Sequence, residues 1–97
     1  MQIYITDTIA RKLKEKHNVS EVEVVQCFRN KIGKYAEDTR PEHQAGRPTV
    51  WFIAETDNSR RLKVVFVRYS RNEYVIKSAY EPNADEERLY DRFLKRG

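Results

Sequence analysis

One cysteine, three glycines and three prolines in 97 residues rule out several kinds of protein at once. A small secreted scaffold held by disulfides carries several paired cysteines, and Cys27 stands alone. Gly33, Gly46 and Gly97 are too far apart to form a phosphate-cradling loop. No apolar run approaches the roughly 18 residues of a membrane-spanning helix, so no membrane partner is expected. The first seven residues also lack the basic start and long apolar stretch of a signal peptide, which predicts a cytoplasmic protein. The soft metal donors, Cys27, His17 and His43, have no ligand-like spacing, and neither a metal nor a cofactor is expected.

What is abundant is charge, at 35% of residues with a net +4. Residues 59–80 concentrate the excess, with six Lys or Arg against one acid, Glu73. A basic hairpin fits an anionic partner such as nucleic acid, although a solvated basic surface is the common alternative.

A chain of this length makes one domain, residues 1–97. Gln2 to Thr6 alternate as a short strand. Thr6 or Asp7 then caps a helix to about His17, with Ile9 and Leu13 on one face. Ser20 and Glu23 form a capping box for a second helix to about Lys31, with Val25, Phe28 and Ile32 as its stripe and Gly33 as its stop. Residues 34–38 read as a strand, and 39–48 as a polar loop holding His43. Residues 49–56, 62–69 and 74–81 are rich in β-branched and aromatic residues and form an antiparallel meander. Asn83 and Glu86 repeat the capping box before a last helix, Ala84 to about Lys95, with Leu89, Phe93 and Leu94 buried. The order gives an α+β domain with helices on one face of a twisted sheet. Cys27 reads as a small buried hydrophobe and His17 as a helix-terminal residue.

If Arg71-Asn72 is the hairpin turn, Lys63 faces Tyr80, Val65 faces Ser78, Val67 faces Ile76 and Tyr69 faces Tyr74. One face then shows lysine and tyrosines and is open to a ligand, while the other packs on the helices with Arg68 and Lys77 reaching an edge. Flat tyrosines beside cations suit single-stranded RNA. Tyrosine is also simply a good strand residue, and lysine a good edge residue.

Several segments resemble one family. Lys16-His17-Asn18-Val19-Ser20 is similar to the K-H-G-V-S segment of BrnT-type toxins. Arg61-Leu62-Lys63-Val64-Val65, Val75-Ile76-Lys77-Ser78-Ala79-Tyr80 and Glu87-Arg88-Leu89-Tyr90 resemble that family's R-x-L-x-V-V, I-I-S-A-R and E-R-x-x-Y segments in the same order. The resemblance spans roughly residues 16–90. It implies a RelE-like fold, a twisted and mainly antiparallel sheet with two N-terminal helices and one C-terminal helix. It also implies the toxin role of a type II toxin–antitoxin pair, with metal-independent cleavage of mRNA and a cognate antitoxin as partner. Tyr80 stands where the family has arginine and Asn18 where it has glycine, departures that bear on activity. The S-A-Y ending also resembles a poorly characterised branch of the same superfamily.

Metal-free RNA cleavage needs a base for the ribose 2′-OH, an acid for the departing 5′ oxygen and cations on the phosphate. The expected catalytic set is Arg61 and Lys63 on the phosphate, Tyr80 for stacking or proton transfer, and His43 as acid or base. Arg47, Arg68, Tyr69, Tyr74 and Lys77 are the expected RNA contacts. The alternative is a non-catalytic protein-binding module, or a degenerate toxin of the same fold.

Overall fold

The computed structural model describes residues 1–37 and 47–95. Along them run β1 (Gln2–Tyr4), α1 (Asp7–His17), α2 (Glu21–Asn30), β2 (Ala36–Glu37), β3 (Thr49–Glu55), β4 (Arg61–Ser70), β5 (Glu73–Tyr80) and α3 (Ala84–Lys95). The strands form one sheet in the order β1-β5-β4-β3-β2. β1 runs parallel to β5 and the other neighbouring pairs are antiparallel, making an α+β fold around a mixed sheet. No helix among the described residues is long and apolar enough to cross a membrane.

The helix ends follow from their capping residues. The Thr6 hydroxyl accepts the Ile9 N–H at the start of α1, and Asn18 closes that helix in the left-handed region at φ 53°, a conformation asparagine tolerates better than most residues. Ser20 and Glu23 make the reciprocal capping box of α2. Gly33, by contrast, caps nothing, because the chain leaves α2 at Lys31 in extended conformation. A Cβ at Gly33 would collide with the Leu94 side chain and come within 3.0 Å of the Tyr90 hydroxyl. The glycine leaves room for the Leu94 and Tyr90 side chains of α3.

α1 and α2 cover one face of the sheet. Phe28 of α2 meets Phe52 at 4.7 Å and Phe66 at 5.4 Å between ring centroids, and Leu13, Val24 and Cys27 are buried beside them. Burying such side chains stabilises the fold by about 1.5–3 kcal/mol each. The stripe of α2 is therefore Val24, Cys27 and Phe28, while Val25 and Ile32, expected in the core, point outward.

The expectation that all helices share one face is corrected. α3 packs on the opposite face, where Tyr90 meets Trp51 at 5.4 Å and donates its hydroxyl to the Lys34 carbonyl. Tyr90, rather than the exposed Leu89, is the buried anchor of α3, with Phe93 and Leu94 partly buried. A tyrosine can be a core residue when its hydroxyl finds a partner.

The hairpin keeps the expected pairing at its base, where Lys63 faces Tyr80 and Val65 faces Ser78, and at the turn, where Ser70 faces Glu73, but not between them. Two bulges then shift the register. Lys77 is the extra residue on β5 and Tyr69 the extra residue on β4, so that Phe66 faces Ile76, Val67 faces Val75 and Arg68 faces Tyr74. The shift turns Tyr74 into the helix-covered core, stacked on Phe66 at 5.0 Å. A one-residue slip moves a side chain to the other face, and the bulges make that move halfway along the strand.

Candidate functional site

The base of the hairpin and the first turn of α3 build one cluster. Lys63 and Tyr80 lie directly opposite each other on β4 and β5. Asn83 caps α3 by accepting the Glu86 N–H at 2.8 Å, and Glu86 Oε1 accepts the Asn83 N–H at 3.0 Å. That reciprocal bond fixes the carboxylate so that its second oxygen, Oε2, faces the sheet. Lys63 Nζ and the Tyr80 hydroxyl both donate to that oxygen, each at 2.9 Å. The ammonium also sits 4.5 Å from the centroid of the Trp51 ring, an additional cation–π attraction. Lys63 is 16% and Glu86 21% exposed, so the cluster is partly open to water.

Its protonation states follow from these contacts. Burial works to raise the Glu86 pKa, but hydrogen bonds from the Asn83 N–H, Lys63 and Tyr80 outweigh it and hold the group below its ordinary value. Burial and the bond to Glu86 push the Tyr80 phenol up. At neutral pH the cluster therefore pairs an ionised carboxylate with a protonated phenol.

Arg61 follows the same side of β4 and is held by two 2.8 Å hydrogen bonds to Glu87 and a 3.6 Å ion pair to Glu55. These bonds raise its pKa further. Arg60 is a structural clamp. It bonds the carbonyls of His17 and Asn18 together with Glu23 and Glu81, tying the α1–α2 turn to the end of β5. The His17 ring lies 5.5 Å from the Tyr80 ring and forms the far wall of the cluster.

Of the expected catalytic residues, Lys63, Tyr80 and Arg61 come together, while His43 lies outside the described residues. The open platform expected on this face is corrected: the first turn of α3 covers much of it and puts a carboxylate on each of Lys63 and Arg61. The expected RNA contacts separate. Arg47 stacks over the Tyr69 ring at 4.5 Å and donates to the Tyr69 carbonyl. Arg68 lies 5.4 Å from the centroid of Tyr74, and Lys77 is exposed at its bulge. Tyr74, 6% exposed, offers no stacking surface.

Glu86 joins the site unforeseen, since its capping role hides in the sequence that its second oxygen is free for another task. The approach of His17 to Tyr80 is likewise brought about only by the fold. Cys27 is a core residue as expected, fully buried, its thiol against the Ala54 carbonyl and its pKa pushed up to about 12 by burial. Among the described residues no three His, Cys, Asp or Glu side chains gather as metal ligands.

Neither a family model nor a curated protein matches the chain. The local chemistry of the cluster is therefore what bears on function.

Proposed function

We propose that the chain is a RelE-like toxin of a type II toxin–antitoxin pair, and that the Lys63–Tyr80–Glu86 cluster is a metal-independent RNA-cleaving centre. One observation carries the reading: an ammonium and a phenol converge on a single anionic oxygen at 2.9 Å each. Two donors aimed at one oxygen are what a non-bridging phosphoryl oxygen requires as charge builds on it. The carboxylate now holding them is the base the reaction needs. Glu86 takes the proton of the ribose 2′-OH, and the 2′ oxygen bonds to phosphorus. The phosphorus–O5′ bond breaks, and Tyr80, kept protonated by its surroundings, supplies the proton to the departing oxygen. Lys63, with Arg61 behind it, balances the charge of the five-coordinate phosphorus. Tyr80 thus takes over at the position where the related toxins carry arginine.

A second reading has its own support. Both cations already have carboxylate partners on α3, as they would in a non-catalytic protein-binding module or degenerate toxin. Expression in bacteria separates the two. A toxin arrests growth, and Lys63→Ala combined with Tyr80→Phe, or Glu86→Gln alone, relieves the arrest while circular dichroism shows the fold intact. Growth unaffected by the wild-type chain favours the binding module, and arrest unchanged in these variants rejects this cleaving centre.

A further inference from the structure

Beside the cluster, on the far side of Tyr80, lies an open cleft of about 510 Å³ between the end of α1 and the end of β5. Two rings stand in it, His17 and Tyr80, tilted by 38° at 5.5 Å. The cleft is fixed in shape, because Arg60 pins the carbonyls of His17 and Asn18 on one wall and the Glu81 carboxylate on the other. That arginine commits four of its five N–H groups to protein acceptors among the described residues. What the cleft still offers is an aromatic wall, the Asn18 amide and acceptors on Glu81. Glu81 Oε2 takes the Arg60 Nε–H at 2.8 Å, whereas its Oε1, and the Asn18 side chain, make no hydrogen bond among the described residues.

We infer that this cleft is a nucleobase subsite selective for guanine, a refinement that rests on the RNA-cleaving reading. The cleft is lined by two cations, Lys16 and Arg60, two carboxylates, Glu15 and Glu81, and the two rings, and the rings with the Glu81 acceptor are what a base, rather than a phosphate alone, requires. Guanine is the base whose Watson–Crick edge carries two adjacent donors, N1–H and the N2 amino group, which a carboxylate accepts as a pair. Its O6 accepts from the Asn18 amide, and its plane lies against His17 and Tyr80, as unstacked bases lie on aromatic side chains. Adenine and uracil present an acceptor where one of the two donors is required. Cytosine carries an amino group but an acceptor at N3. Since Tyr80 belongs to both sites, a base held here sets its own ribose and phosphate beside Lys63 and Glu86.

The test separates recognition from cleavage. Guanosine 3′-monophosphate and adenosine 3′-monophosphate are titrated into the full chain while the His17 and Tyr80 ring resonances are followed by NMR. The guanine nucleotide is expected to shift both rings and to bind at least about tenfold more tightly, the smaller end of what a good paired hydrogen bond discriminates. Glu81→Gln is expected to erase most of that difference. Equal affinity for the two nucleotides, shifts confined to other residues, or a preference unchanged in Glu81→Gln would overturn the subsite. In parallel, the sites cut in an unstructured RNA are mapped. Cutting without guanine enrichment defeats the subsite and leaves the cleaving centre standing, while guanine-selective binding without any cutting does the reverse.

Discussion

The two ends of the β4–β5 hairpin carry the same kind of charge and use it differently. At the base, Arg60, Arg61 and Lys63 each have carboxylate partners brought by another element: Glu23 and Glu81, Glu87 and Glu55, and Glu86. Toward the tip, Arg68 and Arg47 lie on tyrosine rings, and neither makes an ion pair among the described residues. The difference teaches that a count of cations along a strand says little about anion binding. Cations at the base fix geometry and tune the protonation of their partners, while those at the tip keep their charge facing solvent.

The largest expected effect breaks the base. Glu86→Gln removes the proposed proton acceptor and should lower RNA cleavage at least about a hundredfold, within the range that a general base contributes. Its cost in stability should be only about 1 kcal/mol, the order of a partly exposed ion pair and one capping bond. Measuring cleavage rate and urea midpoint on the same preparation checks both. Next comes Arg60→Ala, which strips partners from Glu23, from Glu81 and from two backbone carbonyls. We expect it to destabilise the fold by about 2 kcal/mol, read from the denaturant midpoint, because the abandoned groups are partly buried.

A smaller effect sharpens the contrast from the other end. Arg68→Ala with Arg71→Ala should leave stability within about 0.5 kcal/mol. The pair should weaken RNA binding and reduce the slope of log affinity against log salt by about 1 for each phosphate that the variant no longer neutralises. A salt slope unchanged in this variant would show that the tip does not meet the RNA backbone.

The smallest is a pH effect. Glu86 and Glu23 both have pKa values below the ordinary one. For Glu86 and Glu23 alike, burial opposes ionisation and is outweighed by hydrogen bonds, led by Asn83 and Ser20 respectively. A carboxylate with a depressed folded pKa contributes stability that is present above its unfolded value, about 4.3, and is lost as pH falls through the folded value. The thermal midpoint should therefore be insensitive to these groups above about pH 5 and fall below it. The fall should be shallower in Glu23→Gln.

Much of the fold was legible because local rules and packing agree. The caps at Thr6, Ser20 and Asn83 are set by side chains a few residues away, and the three long strands by their β-branched and aromatic runs. What escaped depends on contacts distant in sequence. Bulges at Tyr69 and Lys77 are a compromise between the two strands and the core, and alternation alone does not place them. Gly33 reads locally as a helix stop, whereas its reason lies far along the chain at Leu94. For the site, the facing of Lys63 and Tyr80 agrees with the turn because the two bulges, one on each strand, cancel. Glu86 and His17 reach them only because α3 folds back onto the sheet and α1 ends beside β5. A capping glutamate with one oxygen uncommitted is the signal that would have found the first of these.

The most direct measurement incubates the purified chain with a short unstructured RNA in excess EDTA and identifies the ends produced. The account predicts fragments carrying a 2′,3′-cyclic phosphate and a free 5′ hydroxyl, formed by the wild-type chain and not by Lys63→Ala with Tyr80→Phe. Intact RNA, or equal cutting by that double variant, would contradict it.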